Sequence, residues 1–340
     1  MNLTHYESFE SMASIAEKWN SLLETSVTNS PFLRFEFLKT WWEHKGGGEW
    51  PDDSRLFVIT AQDGEQLVGI APLFLTQKAD GEYTIYNLGA IEICDLLDII
   101  VFEDRHAVFC AKAAEYLLAT ISPIGEIRLV NLPSTTATAE LFKGVLTKAG
   151  FLTELSVYQP SPTIHLQGDF ETYLAGIDKK QRHEIRRKIR RAEESGRGVR
   201  WYSIETQSQL EVGMQQFYQL MLNDTDKAIF LTDKMKAQMS AIMQLVFDTG
   251  TLKMAFLEAD GQPAAAYLMF DYDNKLWVYN SGYDRVYNEL SAGWVLLGYL
   301  IEWSCQNGRR EFDFMRGNED YKFKFGAVDR PVMQLIAKRN

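Results

Sequence analysis

One phrase of apolar and polar positions occurs twice along the chain. "LFVITAQDGEQLVGIAPLFL" (56–75) reads as an apolar strand, an Asp-Gly turn and a second apolar strand. "LKMAFLEADGQPAAAYLMFD" (252–271) repeats it nearly 200 residues later, with the turn at Asp260-Gly261. Asp-Gly between apolar runs is a hairpin signal, because both turn residues tolerate the left-handed backbone that matches strand twist. Each phrase follows a helical region and is followed by more strand, "YTIYNLGA" in one case and "KLWVYNSGY" in the other. This order predicts two related α/β units. The seam falls at "YQPSPT" (158–163), where two prolines interrupt the patterning, giving domains at 1–160 and 161–340.

The rest of the pattern is helical. In the first half, Trp19, Leu22 and Leu23 share a helix face, as do Phe37, Leu38, Trp41 and Trp42 after Pro31. "EIRLVNLP" reads as a strand, "STTATAE" as a capping loop, and Leu141, Val145 and Leu146 as one side of the next helix. The second half opens with Phe170, Tyr173, Leu174 and Ile177 on one face. The basic segment "KKQRHEIRRKIRRAEESG" follows, with a narrow apolar stripe at Ile185, Ile189 and Ala192 and a stop at Gly196. Leu210, Met214, Phe217, Leu220 and Met221 predict a further helix. The last helix runs from "LSAG" (290–293) through Leu296, Leu297, Leu300, Ile301 and Trp303, and the strand "EFDFM" follows it.

Composition narrows the class. Of 340 residues, 46% are hydrophobic and 24% charged, as in a folded globular protein. No run approaches the roughly 20 apolar residues that span a bilayer. No secretory signal is visible, and Cys94, Cys110 and Cys305 lack paired spacing. These features place the protein in a reducing compartment, the cytoplasm, with no metal expected. The net charge of −11 argues against general nucleic-acid affinity, yet it is uneven: residues 179–200 carry +7, which leaves −18 on the remainder.

No phosphate-binding P-loop, dinucleotide fingerprint, H-E-x-x-H helix or G-x-S-x-G elbow occurs, and the five histidines are dispersed. Two positive signals stand out. Arg182, Arg186 and Arg190 recur every four residues, with Arg187 and Arg191 on the neighbouring stripe. Like charges at that spacing weaken a helix, so an anion is expected to compensate: an acidic surface of this protein, a phosphate-bearing ligand or RNA. The turn "YNSGYDRVYNELSAG" (279–293) leads from a strand into a helix and supplies Ser281, Gly282, Ser291 and Gly293, where free N–H groups can take a phosphate or an oxyanion. A capped helix behind a loop explains Ser291 equally well.

With "FDFMRGNEDYKFKFG" these stretches resemble a known group of proteins. The Lys179–Arg191 helix, "YNSGYD…LSAG" and the terminal motif are similar to the acyltransferases called "acetyltransferase involved in cellulose biosynthesis" (CelD/BcsL-like). "SPFLRFEFLKTWW", "GEQLVGIAPLF" and "DLLDIIV" extend the resemblance through the first half. That group lies in the GNAT superfamily and is related to the Fem-type peptidoglycan aminoacyltransferases. The resemblance implies an α/β (α+β) architecture of two tandem GNAT-like folds with central mixed sheets. It implies an N-acyltransferase that uses an acyl-CoA-type donor and an amine acceptor on a sugar, peptide or cell-envelope precursor. The chain departs from the usual [QR]-x-x-G-x-[GA] turn of GNAT enzymes, since "NELSAG" matches it only at Gly293. Aminoacyl-tRNA therefore stays open as donor, although no helical hairpin of the Fem type is evident. A non-catalytic accessory role in polysaccharide export is the third reading.

Within that frame the terminal motif carries the chemistry. Acyl transfer needs stabilisation of charge on the carbonyl oxygen and loss of a proton from the amine. Lys322 is the candidate for the first task, and Asp313 or Glu319 for the second. Arg316 is placed to fix an anionic group, and Tyr321 and Tyr283 to donate hydrogen bonds. Arg182, Arg186 and Arg190 are the donor-binding candidates, with Ser291 and Gly293. The competing reading is a charged hairpin that closes the sheet.

Overall fold

The structure is a computed structural model that describes residues 1–339. It divides into two compact units, one of Met1–Pro160 together with the chain from Arg330 onward, the other of Ser161–Asp329. The first unit contains β1 (Asn2–Tyr6), α1 (Ala16–Leu23), α2 (Phe35–Glu43), a helical turn α3 (Lys45–Gly48), β2 (Arg55–Asp63), β3 (Gln66–Gln77) and β4 (Tyr83–Asn87). It continues with β5 (Ile100–Val101), α4 (His106–Thr120), β6 (Ile124–Pro133), α5 (Thr138–Lys148) and β7 (Phe151–Gln159).

The second unit begins with β8 (Pro162–His165), α6 (Phe170–Gly176), α7 (Lys179–Glu193), β9 (Arg200–Ser203), α8 (Gln207–Met221), α9 (Thr225–Phe230) and α10 (Asp233–Asp248). Then come β10 (Leu252–Ala259), β11 (Gln262–Tyr272), β12 (Lys275–Tyr283), α11 (Ala292–Gln306), β13 (Glu311–Asp313), α12 (Asp320–Lys324) and β14 (Val328–Asp329). A final strand, β15 (Val332–Arg339), belongs to the first unit.

Both sheets are mixed. The first has the order β1-β2-β3-β4-β6-β15-β7, with β5 paired to β3, and the second β14-β8-β13-β12-β11-β10-β9. The two hairpin phrases form β2–β3 and β10–β11, each closed by a two-residue loop between Asp63 and Gln66 or between Ala259 and Gln262. In each sheet one pair of neighbours is parallel, β4 with β6 and β12 with β13. These are two GNAT-like folds in tandem.

The chain end departs from the expected boundary. Residues beyond Arg330, expected to close the second unit, instead lie between β6 and β7 of the first. The strand that leaves the first unit, β8, pairs with β13 and β14 of the second. A strand buried between two neighbours satisfies both its edges. β15 is such a strand, with Val332, Leu335 and Ala337 fully buried.

Packing follows the apolar stripes. In the first unit Phe109, Ala113 and Leu117 of α4 cluster with Ile59, Leu73, Ile85 and Ile127 of the sheet. In the second, Val295, Leu296, Leu300 and Ile301 of α11 cluster with Ala265, Tyr267 and Leu276. Full burial of such a side chain stabilises by about 1.5–3 kcal/mol each. Trp41 is fully buried against Phe74, a core residue as its helix face predicts. α6 stops at Gly176, one residue before the Ile177 expected in its face. Asp178 then caps the basic helix α7 through the N–H groups of Lys180 and Gln181, and only Ile185 and Ala192 of its stripe are fully buried.

Candidate active site

Parallel neighbours that diverge leave an open wedge between them, and each unit contains one such place. In the first unit the wedge is filled by the protein itself. Past the Tyr86–Arg128 pair, Asn87 bridges the gap, donating to the Val130 carbonyl at 2.7 Å and accepting from its N–H at 3.0 Å. Residues 88–99 fold back across the opening. Leu97 N–H donates to the Asn131 carbonyl (2.9 Å), and Asn131 Nδ2 donates to the carbonyls of Cys94 (2.8 Å) and Ile91 (3.1 Å). Leu88, Ala90, Ile93, Cys94 and Leu97 are all buried in that plug.

In the second unit the wedge is lined with charge. β12 and β13 pair only from Lys275–Glu311 to Trp277–Asp313. β12 then continues alone on that side to Tyr283, with a bulge at Tyr279 where its pairing with β11 skips a residue. β13 is turned away by Asp313, whose Oδ1 accepts from Met315 N–H at 2.8 Å while Met315 takes a φ of 56°. Asp313 is 9% exposed, and burial raises its carboxyl to about 6 against the pull of that hydrogen bond. Its carboxylate is thus committed to the turn.

Lys322 sits on α12, only 3% exposed. Its Nζ donates to the Arg316 carbonyl at 2.7 Å, with the carbonyls of Met315 and Gly317 at 3.5 Å and Glu319 Oε2 at 3.0 Å. Gly317 has a φ of 125°, and a Cβ there would lie 2.7 Å from Lys322 Nζ and collide with the Glu319 carboxylate. Only glycine lets the turn close around the ion pair. Glu319 precedes α12 and keeps its side chain 55% exposed. Burial and the neighbouring Glu319 charge push the Tyr321 phenol up, and its ring packs edge-on to Phe314.

Three further groups complete the wedge. Lys227 of α9 donates to the Ser281 carbonyl on β12, with Ser281 Oγ at 3.5 Å. Burial lowers its ammonium, while Asp224 and Glu319 favour the charge and Lys322 opposes it. Tyr267, buried in β11 opposite Ser281, reaches the Gly293 carbonyl at 3.4 Å. Its phenol is pushed up by burial and by Tyr321 and Glu319 nearby, so it spans the distance from α11 to the terminal motif. Finally, Gly282 lies so close to α8 that a Cβ would meet the backbone of Leu220 and Met221 at 2.7 Å.

The start of α11 forms the other part. No side chain caps it, and its first helical bond runs from Val295 N–H to the Ser291 carbonyl, so the N–H groups of Ala292, Gly293 and Trp294 precede the ladder. Ser291 holds a left-handed φ of 54° and accepts from Arg191 Nη2 at 3.1 Å, while a Cβ at Gly293 would meet open space. Two cavities border this end along α7. One of about 640 Å³ is lined by Arg187, Arg190, Arg191, Arg197 and Leu290 among others. The other, of about 530 Å³, is lined by Lys180, His183, Arg187, Lys188, Trp294 and Lys324 with Gln181 and Glu184.

The structure thus brings Asp313, Arg316, Glu319, Tyr321 and Lys322 into one turn, and Ser291 and Gly293 to the mouth of α11. Tyr283 is 45% exposed at the end of β12, and its carbonyl accepts from Asn223. The arginine stripe is divided. Arg182 donates to the carbonyls of Leu174 and Ala175, and Arg186 pairs with Glu171, so both serve α6. Arg190 lines the larger cavity, and the arginine bonded at the helix mouth is Arg191. Lys227 and Tyr267 also line the wedge, and the sequence pattern does not single them out, whereas Ser281 belongs to the turn it does mark. A tyrosine inside the buried run "AAAYLMF" is a phenol that needs a partner, which is the available signal; nothing marks Lys227.

Comparison with known proteins agrees with this geometry. Residues 179–323 match the family model described as an acetyltransferase (GNAT) domain. The whole chain superposes on solved structures at low identity. The crystal structure of FemX gives a TM-score of 0.68 at 11% identity, over 98% of this chain and 97% of that one. The C-terminal domain of a putative lysylphosphatidylglycerol synthetase from Agrobacterium fabrum gives 0.54 at 10%, over 95% and 91%. A tandem GNAT protein from the clavulanic acid biosynthesis pathway gives 0.50 at 12%, over 98% of each. No curated protein matches the sequence. Residues 179–323 thus carry a GNAT-type acetyltransferase domain, within a chain whose two units share the tandem GNAT-like fold.

Proposed function

We propose that the second unit transfers an acyl group from an acyl-CoA-type donor to an amine carried by a sugar, peptide or cell-envelope precursor. The observation that carries this reading is the uncapped start of α11. N–H groups that precede the helical ladder, at the positive end of a fifteen-residue helix, suit a phosphate. Arg191 at the mouth and Arg187 and Arg190 in the adjoining cavity add charge-assisted donors. Tyr267 joins this end to the wedge, where the acyl group would lie beside the unpaired length of β12. Glu319, half-exposed beside the wedge, is the base that takes the amine proton. The plug in the first unit leaves the second as the reacting one.

The amino-acid donor reading draws on the same arginines, because tRNA and CoA both present phosphates. One experiment separates them. Calorimetry of the full chain with acetyl-CoA, beside capture of tRNA from an extract, is repeated on an R187Q/R191Q variant. The reading expects acetyl-CoA binding that weakens at least about tenfold in the variant and loses part of its salt dependence. Retention of tRNA without acetyl-CoA binding would move the assignment to an aminoacyl donor. Normal binding by the variant would remove the arginines from the site.

A further inference from the structure

Two lysines flank the unpaired length of β12, and their bonding differs. An ammonium has three donors. Lys322 is nearly inaccessible and is surrounded by acceptors on its own turn, the carbonyls of Met315, Arg316 and Gly317 and the Glu319 carboxylate. The Lys227 ammonium instead donates to the Ser281 carbonyl, with the Ser281 hydroxyl at 3.5 Å. Its backbone is fixed, since Asp224 caps α9 through the N–H groups of Asp226 and Lys227. The charged groups that act on it are Asp224 on its own segment and Glu319 and Lys322 from the terminal motif. Ser281 lies four residues past Trp277, where β13 has already left β12. Lys227 therefore brings a cation to the part of β12 that the parallel strand has vacated.

We propose that Lys227 is the catalytic cation that meets the acyl carbonyl oxygen, and that Lys322 is a positioning residue that holds the 315–319 turn and aims Glu319. This rests on the acyl-transfer reading of the same site. In the reaction the acceptor nitrogen forms a bond to the acyl carbon, and the carbonyl electron pair moves onto the oxygen facing Lys227. The pair then returns as the bond to the donor's leaving group breaks. The proton lost by nitrogen passes to Glu319 and from there to the leaving group. Charge appears on the oxygen only during this passage, so Lys227 acts on turnover more than on donor binding.

The test has a chemical and a kinetic arm, both on the full-length protein. In the first, lysines compete for acetic anhydride from neutral to alkaline pH, and each peptide is followed by mass spectrometry. Lys227 is expected to react, with a midpoint lowered from the ordinary lysine value by burial, and E319Q is expected to lower it further by removing a favouring charge. Lys322 is expected to stay unlabelled. A Lys227 as unreactive as Lys322 is shut against Ser281, which overturns the proposal. In the second arm, acetyl-CoA turnover with glucosamine as the amine probe should fall about 10²–10³-fold in kcat for K227M, with KM for acetyl-CoA nearly unchanged. K227R should recover part of the loss, which shows that the α9 segment still folds. Full turnover by K227M overturns the proposal whatever the labelling shows. Should the wild type not use acetyl-CoA, the donor reading fails alone and the labelling still decides Lys227.

Discussion

Replacing Asp313 by asparagine tests whether its carboxyl organises the turn or carries the amine proton. Burial raises this carboxyl from 3.8 to about 6, with Glu311 adding to the rise and Thr163 and Lys275 opposing it. The sign follows from which state holds the proton. Below the unfolded value both states are protonated and ionisation costs nothing. As pH rises through about 6 the folded state must ionise a group that the unfolded chain ionised earlier, and stability is lost. A shift of about two pKa units corresponds to about 3 kcal/mol, of which about half falls between pH 5 and 7. The amide side chain introduced by Asp313→Asn keeps an oxygen for Met315 N–H and never ionises. The variant should therefore gain on the wild type as pH rises, approaching about 3 kcal/mol of relative stability near neutrality. Urea unfolding at a series of pH values measures the difference directly. A difference that is flat with pH, or that shrinks towards neutrality, would refute the buried-charge account. A variant that folds well but loses turnover would restore Asp313 to the proton chemistry.

Three other outcomes follow from the same geometry. Lys322→Met removes the donor shared by the Arg316 carbonyl and Glu319, and should cost about 2–4 kcal/mol in urea unfolding. If it leaves stability unchanged, the ammonium does not hold the turn. Gly282→Ala places a Cβ against the backbone of Leu220 and Met221, so it should cost about 1–3 kcal/mol by thermal unfolding and loosen α8 in hydrogen exchange. Glu319→Gln should lower turnover while shifting the melting temperature little, since the carboxylate is more than half exposed; unchanged turnover would transfer the base role elsewhere.

The architecture was largely legible in the sequence because it depends on local periodicity. Asp-Gly turns between apolar runs and the stripes of α8 and α11 each specify an element without reference to distant residues. The site was legible in part for the same reason. Asp313, Glu319, Tyr321 and Lys322 lie within ten positions, so one turn gathers them. The arginine stripe illustrates the limit. Spacing put Arg182, Arg186 and Arg190 on one face, but the neighbours of that face decide its use. α6 claims Arg182 and Arg186, while Arg191, a quarter-turn away, reaches Ser291. Lys227 lies 54 positions before Ser281, and no periodicity connects them. The destination of β15 was hidden for a related reason: nothing within residues 332–339 specifies which distant strands it joins.

The placement of β15 bears on how the molecule is made. Ile127 of β6 pairs with Ala337 of β15, about 210 positions later. During synthesis β6 and β7 emerge early, yet the strand that belongs between them is still unmade. The first sheet must therefore wait, with two interior edges unpaired, while the whole 161–329 segment is translated. Closing a loop of that length adds little entropy beyond a shorter one, since the cost grows only with the logarithm of its size. The difficulty is temporal: exposed strand edges invite pairing with other chains. A nascent chain halted before β15 presents such edges, and a trigger-factor-like holdase that shields them would raise the yield of the active protein more than it would for two domains strung end to end.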